Sequence, residues 1–294
     1  MIIGWLFGRL QVIRTVIEQY GEDKFYLSFS GGKDSTVLHH LLDMALPSNK
    51  IPRVFNDTGI EYNYIREFVN EIKDERFVII KPSKNIKTTL EEYGYPFKSK
   101  EHSLYVATYQ SIGEKSKTYQ RYLFPSEERK SYGCIEKLKY QFTSNFNLKI
   151  SDKCCLKLKE EPLREYEKES GRHIAILGIM PSEGGRRNSA KCIVKDKHFS
   201  PLVKVDKAWE EWFIKEHDIK LCKLYYPPFN FKRTGCKGCP FNINLQNDLD
   251  IMERLLPSER KQCEFIWKPI YEEYRRIGYR LEDRLFWKEI NEPI

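Results

Sequence analysis

The residues best suited to chemistry in this 294-residue chain lie at positions 30–35, which read Ser-Gly-Gly-Lys-Asp-Ser. Glycines, which have no Cβ, allow backbone N–H groups to approach an anion closely. The lysine adds a full positive charge, and the serine hydroxyls add hydrogen-bond donors. An apolar segment precedes this run, and a helical pattern follows from Thr36, so the positive end of a helix faces the same place. The pattern predicts a loop that binds phosphate groups.

Two close pairs of cysteines form a second candidate site. Cys154 and Cys155 are adjacent, and Cys236 and Cys239 form a Cys-x-x-Cys. Four thiolates in two pairs suggest a metal site. Neighbouring cysteines make an awkward corner for tetrahedral zinc, whereas the irons of an iron–sulfur cube are farther apart and can each take one of two adjacent thiolates. The arrangement favours a 4Fe–4S cluster, with zinc as the alternative.

Composition and charge limit the class of protein. The chain has 50 basic and 42 acidic residues, a net charge of +8, and is 31% charged and 40% hydrophobic. No apolar run approaches the ~20 residues of a membrane-spanning helix, and the short apolar start lacks the basic leader of a signal peptide. We therefore expect a cytoplasmic protein with reduced cysteines. The positive charge suits a polyanionic partner such as a nucleotide or a nucleic acid.

Apolar segments alternate with helical patterns along much of the chain. The segments expected to form strands are residues 25–29, 51–56, 77–81 and 173–179. This alternation predicts an α/β fold, with a Rossmann-like, doubly wound and mostly parallel sheet. Ligands of such sheets bind at the carboxyl ends of the strands. We therefore expect the turns at residues 30–32, 57–59 and 178–187 to face one crevice.

The C-terminal part differs from the rest of the sequence. It contains the Cys-x-x-Cys and then predicts two helices, with Asn247 capping the first and Pro257 between them. We expect a phosphate-loop domain at residues 1–225 and a small helical, cysteine-containing appendage at residues 226–294. Residues 82–150 are rich in lysine and show no clean period, so no elements are assigned there.

Several of these segments resemble known families. Residues 30–35 resemble the PP-loop of the adenine-nucleotide α-hydrolases. Residues 153–163 and 233–240 resemble the Cys-Cys…Lys…Pro-Leu and Arg-x-Gly-Cys-x-x-Cys stretches of the phosphoadenosine phosphosulfate (PAPS) reductase family within that superfamily. Residues 94–101 resemble a segment of uncharacterised bacterial and phage members. The resemblance extends from about residue 24 to residue 240.

The resemblance implies an enzyme that binds an adenine nucleotide, either ATP or a sulfonucleotide, with Mg²⁺ on its phosphates. In the adenylyl-sulfate branch the cysteine pairs hold a 4Fe–4S cluster, which implies the ligands Cys154, Cys155, Cys236 and Cys239. The catalytic residues implied are Lys33, Asp34 and Arg186. The nucleotide-binding residues implied are Ser28, Ser30, Gly31, Gly32, Lys33, Asp34, Ser35, Asp57, Thr58, Gly59, Gly178, Glu183 and Arg187.

The sequence departs from the family at two places. The reductases carry a C-terminal Glu-Cys-Gly-Leu-His whose cysteine attacks the sulfonucleotide, and this chain lacks that motif. Cys263, the only cysteine after Cys239, lies inside a predicted helix. Met180 stands where the family often has arginine, and Arg186 with Arg187 could supply the missing positive charge.

Three functions follow as hypotheses. The first is a nucleotide-activating sulfur-transfer enzyme, with a sulfur donor protein as partner and a nucleic acid as one candidate substrate. The second is a sulfite-releasing adenylyl-sulfate or PAPS reductase supplied by an electron donor. The third is a nucleotide-binding module without turnover. The missing tail motif favours the first over the second.

Overall fold

The structure, a computed structural model, describes residues 2–180 and 190–282. The chain divides into two compact units. One consists of Met1–Pro82 and Glu161–Gly235, and the other of Ser83–Glu160 and Cys236–Ile294. The sequence analysis grouped residues 83–160 with the N-terminal part of the chain. In the structure these residues belong to the same unit as the C-terminal helices. The domain boundary after residue 225 stays a prediction.

A mostly parallel sheet organises the first unit. Its strands are β1 (Phe25–Phe29), β2 (Arg53–Asn56), β3 (Phe77–Ile80), β4 (Ile174–Ile176), β5 (Ile193–Val194) and β6 (His198–Phe199). The strand order is β3-β2-β1-β4-β6-β5, and only the edge pair of β5 and β6 is antiparallel. Each of the two central strands β1 and β4 is almost wholly buried, as expected for a sheet covered on both faces. The predicted α/β fold is confirmed.

Helices make up most of the remaining structure. In chain order they are α1 (Ile2–Tyr20), α2 (Lys33–Ala45), α3 (Asn63–Ile72), α4 (Ile86–Tyr93), α5 (Lys100–Ile112), α6 (Lys117–Leu123), α7 (Lys153–Cys155), α8 (Glu161–Ser170), α9 (Lys207–Glu216), α10 (Leu245–Leu255), α11 (Pro257–Ile266) and α12 (Lys268–Arg276). A π-helical turn, Leu156–Glu160, follows α7. Within the described ranges, none of the helices is both long and apolar enough to span a bilayer.

The helices after the Cys-x-x-Cys differ from the prediction in two respects. Helix α10 begins at Leu245, so Asn244 rather than Asn247 precedes it. Leu245, Leu249 and Met252 form the buried face of α10, so the helix is packed from its first turn onward. Between the Cys-x-x-Cys and residue 282 the chain forms three helices in place of the two predicted, because the second predicted helix is interrupted at Trp267.

The order of the strands places the candidate turns at one edge of the sheet. Strands β1, β2 and β4 are parallel neighbours, so their carboxyl ends lie side by side. The turn at residues 30–32 therefore lies between the turn at residues 57–59 and the chain that leaves β4 toward Gly178. The shared edge that the sequence predicted is confirmed up to residue 180.

Candidate functional site

The loop between β1 and α2 is tightly folded on itself. Gly31 has a φ of 69°, and a Cβ at this position would lie 2.9 Å from Cγ2 of Ile65, so the loop requires glycine here. The Ser30 N–H donates to Ser35 Oγ at 3.2 Å, and the Gly32 N–H donates to Ser30 Oγ at 3.3 Å. Ser35 Oγ in turn donates to the Gly32 carbonyl at 2.9 Å. These bonds fix the main chain around the N-terminus of α2.

A tyrosine from much later in the chain completes this loop. The Tyr225 hydroxyl accepts the N–H of Lys33 at 3.0 Å and is bonded to Thr234 Oγ1 at 2.7 Å. A Cβ at Gly32 would lie 3.4 Å from the Tyr225 hydroxyl, so the loop and the tyrosine are in close contact. An anion that binds the Lys33 N–H must therefore replace the Tyr225 hydroxyl as the acceptor of this hydrogen bond. No local pattern in the sequence points to Tyr225, which lies 192 residues from Lys33.

A buried carboxyl group lies beside the lysine of the loop. Glu210, on α9, is only 3% exposed, and its Oε2 is 3.6 Å from Lys33 Nζ. Burial, followed by hydrogen bonding to and charge repulsion from Asp34, raises the pKa of Glu210 to about 8. A Cβ at Gly178 would lie 3.0 Å from the carbonyl carbon of Asp34, so the chain leaving β4 contacts the first turn of α2. The structure thus brings together Lys33, Asp34 and Gly178, and adds Glu210, which the sequence analysis missed.

The protonation of Glu210 predicts how nucleotide binding depends on pH. A bound phosphate favours the neutral carboxyl, so above pH 8 the free protein must take up a proton in order to bind. We expect the affinity of the wild-type protein for ATP to fall by about tenfold between pH 7 and pH 9. Glu210→Gln, which stays neutral, should flatten this profile. Isothermal titration calorimetry across the pH range measures the change.

Glu211→Gln provides the matched control for this prediction. Glu211 is the next residue on α9 but is exposed and paired with Lys207, so its loss should leave the pH profile as in the wild type. A Glu210→Gln protein that kept the full wild-type slope would show that another group carries the pH dependence.

The turn after β2 is held by its own neighbours. Asp57 Oδ1 accepts hydrogen bonds from the Gly59 N–H at 3.2 Å and from Arg66 Nε at 2.9 Å. Thr58 is 2% exposed, and its hydroxyl donates to Glu61 Oε1 at 2.6 Å. Gly59 is exposed and has a φ of 82°. The part of this turn that faces solvent is therefore the backbone of Gly59.

The other predicted nucleotide-binding positions lie apart from this network or outside the described residues. Ser28 is half-buried on β1. Met180, which stands in place of the family's arginine, is 1% exposed and belongs to the core. Glu183, Arg186 and Arg187 lie outside the described residues. The functional roles assigned to all of these positions stay predictions.

All four predicted cysteine ligands belong to the second unit. The thiol of Cys154 is hydrogen-bonded to the sulfur of Cys155, which raises the pKa of Cys154 and lowers that of Cys155. Burial, followed by negative charge on Cys155, Cys239 and Cys236, raises the pKa of Cys154 further, so Cys239 and Cys236 lie within electrostatic reach of Cys154. Burial raises the pKa of Cys239 to about 12, against the opposing effect of a hydrogen bond from the Phe241 N–H.

The donor atoms of the four cysteines are sulfurs, and their arrangement bears on the kind of metal group they could hold. Among residues 2–180 and 190–282, no group of three or more His, Cys, Asp or Glu side chains is arranged to hold a metal ion. A 4Fe–4S cube distributes its ligands over separate irons, so its thiolates need not converge on one point. The four candidate ligands are all cysteine sulfurs, the type of ligand that such a cluster prefers. Two of them are adjacent in a helical turn that continues into a π-helical turn.

A groove of about 650 Å³ lies beside this helical turn in the second unit. It is lined by aromatic, amide, basic and acidic side chains, among them Tyr93, Gln110, Lys153 and Glu92. The ammonium groups of Lys153 and Lys157 lie 5.9 and 4.9 Å from the centre of the Tyr93 ring. An aromatic ring among lysines is a combination that suits a polyanion carrying planar bases.

A family model for the phosphoadenosine phosphosulfate reductase domain matches residues 24–123 and 108–242. These matched residues span the phosphate loop and both cysteine pairs. No curated protein matches the chain.

Several solved structures are similar to this chain at low identity. The phosphoadenylyl-sulfate (PAPS) reductase from Candida auris, in its phosphate complex, is 15% identical over 78% of this chain and 87% of that chain, with a TM-score of 0.46. The NH3-dependent NAD synthetase from Campylobacter jejuni is 14% identical over 96% and 98%, with a TM-score of 0.39. The U34-tRNA thiolase from Methanococcus maripaludis, with its 4Fe–4S cluster, is 14% identical over 95% and 80%, with a TM-score of 0.40.

Proposed function

Because the chain belongs to the phosphoadenosine phosphosulfate reductase domain family, we propose that it is an enzyme that binds an adenine nucleotide through residues 30–35 and activates a substrate for sulfur transfer. The observation that carries this proposal is the loop itself. Its glycines, its serine hydroxyls and Lys33 surround the N-terminus of α2, where an anion is stabilised by backbone N–H groups and by the helix dipole.

The residues of the loop have distinct tasks in this proposal. The backbone N–H groups and Lys33 neutralise the phosphates, once a phosphate oxygen has replaced the Tyr225 hydroxyl as the acceptor of the Lys33 N–H. Asp34 is the candidate ligand for the Mg²⁺ that accompanies ATP, because carboxylate oxygen is a preferred donor for this ion. The Glu210 carboxyl group, which can be neutral or negatively charged, sets the net charge beside the Lys33 ammonium. Preorganised donors of this kind stabilise the charge that develops as pyrophosphate leaves.

The proposed reaction has two steps. A substrate oxygen attacks the α-phosphorus of ATP, the bond between the α-phosphorus and its bridging oxygen breaks, and pyrophosphate leaves with the electron pair. Hydrosulfide, or a donor that delivers it, then attacks the activated carbon. A C–S bond forms, the C–O bond breaks, and AMP leaves. When hydrosulfide is the sulfur donor, neither step changes the oxidation state of the sulfur.

The four cysteines would serve this chemistry as the ligands of a 4Fe–4S cluster, with zinc as the alternative group. When bound, such a cluster supplies iron that can bind sulfur species. The protein would hold the four sulfurs in place, and the hydrogen bond with Cys154, followed by the charges of Lys100 and Lys159, lowers the pKa of Cys155. Iron and acid-labile sulfide in anaerobically purified protein distinguish the cluster from zinc.

The properties of Cys263 argue against the sulfite-releasing reductase. A cysteine that attacks a sulfonucleotide must be accessible and must ionise readily. Cys263 is fully buried on α11, and burial raises its pKa to about 12. Cys263 is therefore poorly suited to attack a sulfonucleotide.

Replacing Cys263 tests this distinction. We expect Cys263→Ala to keep pyrophosphate release within about twofold of wild type, with a loss of stability of about 1 kcal/mol from the vacated volume. Pyrophosphate and sulfite are measured in parallel with ATP and adenylyl sulfate as substrates, and thermal melting gives the stability. Sulfite release by the wild type that disappears in Cys263→Ala would establish the reductase instead.

The same assay tests the proposed function as a whole. Release of pyrophosphate and AMP from ATP, increased by hydrosulfide and an acceptor, is the result we expect. The groove beside Tyr93 and the net charge of +8 support a nucleic acid as the acceptor, so RNA and DNA should each be added in turn. Tight ATP binding without turnover under all of these conditions would favour a nucleotide-binding module.

A further inference from the structure

Two cavities adjoin in the second unit and form one groove. The cavity of about 650 Å³ described above shares Thr143, Phe146 and Asn147 with a second cavity of about 500 Å³, which is also lined by Glu273 and Arg276 of α12. We call the two cavities together the extended groove. Each part has the volume of a site for a small organic molecule, so two parts in sequence suit a chain of repeated units better than a single compact ligand.

Aromatic rings line both parts of the extended groove. Tyr93 and Tyr109 line the first part, Tyr140 lines the second, and Phe146 lies at the junction. All four side chains are half-buried, so each is held by the protein while part of it stays open to solvent. Phe146 meets Tyr140 edge to face, with ring centres 5.5 Å apart. Rings presented in this way are platforms on which the bases of a nucleic acid stack.

Each part of the extended groove also places a cation beside an aromatic ring. The ammonium of Lys153 lies 5.9 Å from the centre of the Tyr93 ring, and the guanidinium of Arg276 lies 5.1 Å from the centre of the Tyr140 ring. Two hydrogen bonds of 2.7 Å to Glu273 hold the Arg276 guanidinium in place. The pairing of a ring with a cation is thus repeated along the groove, which suits a strand that repeats a base and a phosphate.

The acidic side chains of the extended groove are balanced by partners of their own. Glu92 forms an ion pair with Lys84, and the charge of Glu273 is balanced by the guanidinium that it holds. Lys149 and Lys153 also line the groove and are exposed. Lys149 donates to a backbone carbonyl at 2.6 Å, and within residues 2–180 and 190–282 neither ammonium is paired with a carboxylate. These two positive charges are therefore available to an anionic ligand.

The positive charge of the chain is concentrated in the segment that forms most of this groove. Residues 83–160 contain 15 basic and 9 acidic residues, a net charge of +6 out of the +8 of the whole chain. The first part of the extended groove and most of the second are built from this segment. The field around the groove therefore attracts polyanions, and the attraction weakens as the salt concentration rises.

The aromatic rings favour an unpaired strand over a duplex. In a duplex the faces of the bases are stacked on one another, so a protein meets chiefly the phosphates and the base edges. An unpaired base exposes its face and can lie against a ring that is partly open to solvent. Asn147, exposed at the junction of the two cavities, offers an amide donor and an amide acceptor to the edge of such a base.

From these observations we propose that the extended groove binds a single-stranded nucleic acid. Unpaired bases lie against the rings of Tyr93 and Tyr140, and the backbone phosphates lie at Lys149, Lys153 and Arg276. The bound strand is the acceptor of the proposed sulfur-transfer reaction, and in that respect the inference rests on the proposed function. Binding of the strand requires neither ATP nor the cysteine pairs, so it is measured separately from the reaction.

The first test removes a stacking ring. Fluorescence anisotropy measures the binding of labelled single-stranded RNA and DNA, each of about 16 nucleotides, to the full-length protein without ATP. We expect Tyr93→Leu, which removes the ring and keeps an apolar side chain, to weaken this binding about tenfold. Tyr105→Leu is the matched control, because Tyr105 is a half-buried tyrosine of the same unit that does not line the groove, and its affinity should match wild type.

The second test removes a phosphate contact. Lys149→Ala should reduce the slope of log K against log salt concentration by about 0.7, the value for one phosphate contact of a single strand. Lys117→Ala removes the same charge from an exposed position on α6 and should leave the slope unchanged. Thermal melting shows whether each variant is folded. Both lysines are exposed, so this pair decides the question even if Tyr93→Leu fails to fold.

Competition experiments separate recognition of bases from attraction to charge. A duplex of the same sequence, and polyphosphate as a polyanion without bases, should each displace the labelled strand about tenfold less well than unlabelled single strand at equal negative charge. Equal displacement by all three competitors, with wild-type affinity in Tyr93→Leu, would overturn the proposal. Absence of binding at about 50 mM salt would also overturn it. Single-strand binding without release of pyrophosphate from ATP would support the groove and contradict the proposed reaction.

Discussion

Lys33→Ala is expected to weaken ATP binding by roughly 10- to 100-fold, which corresponds to the loss of one charge-assisted contact to phosphate. The backbone N–H groups of the loop stay in place, so weak binding should persist. The fold should also survive, because Glu210, the buried partner of Lys33, can remain neutral when the ammonium is gone: its pKa is already raised to about 8. Equilibrium binding of a fluorescent ATP analogue measures the change.

Lys73→Ala is the matched control for this prediction. Lys73 is exposed just after α3, and its ammonium is bonded to Asn70, so its removal changes the net charge equally without touching the loop. An affinity for ATP that was the same in Lys33→Ala as in Lys73→Ala would show that the phosphates do not bind at this lysine.

Cys239→Ser is expected to lower the iron content of anaerobically purified protein by about tenfold or more. The serine hydroxyl does not ionise at neutral pH and is a poor ligand for iron compared with thiolate. The Cys239 sulfur also accepts a hydrogen bond from the Phe241 N–H, so the variant removes the acceptor of this bond together with the ligand atom. Iron and acid-labile sulfide are measured per chain, together with the visible absorption of the cluster.

Cys192→Ser serves as the control for the loss of a thiol in general. Cys192 is half-buried in the first unit, next to β5, and belongs to neither cysteine pair. We expect its iron content to match wild type. Full iron in Cys239→Ser, with a normal visible spectrum, would remove Cys239 from the ligand set.

Much of the fold could be predicted from sequence because its signals are local. The apolar strands, the glycines of the loop and the cysteine pairs are each contained within a few consecutive residues. Residues 82–150 could not be divided, because their core includes polar side chains. His102 is fully buried, bonded to the Tyr122 hydroxyl at 2.9 Å and to Gln141 Oε1 at 2.7 Å. Such positions interrupt the apolar period on which a helix prediction depends.

The candidate site was predictable only in the part that is contiguous in sequence. Lys33 and Asp34 lie in a recognisable motif, whereas Tyr225 and Glu210 reach the loop from distant elements and lie in stretches that have no phosphate-binding pattern of their own. The same holds for the extended groove, to which residues 92–153 and helix α12 both contribute. These partners are defined by packing, which only the folded chain shows.

The most direct measurement is a crystal structure of the protein with a non-hydrolysable ATP analogue and Mg²⁺. We predict the phosphates at the N-terminus of α2, within hydrogen-bond distance of backbone N–H groups of residues 31–35 and of Lys33 Nζ. A nucleotide bound elsewhere, with the Tyr225 hydroxyl still seated on the Lys33 N–H and no phosphate beside it, would contradict the account.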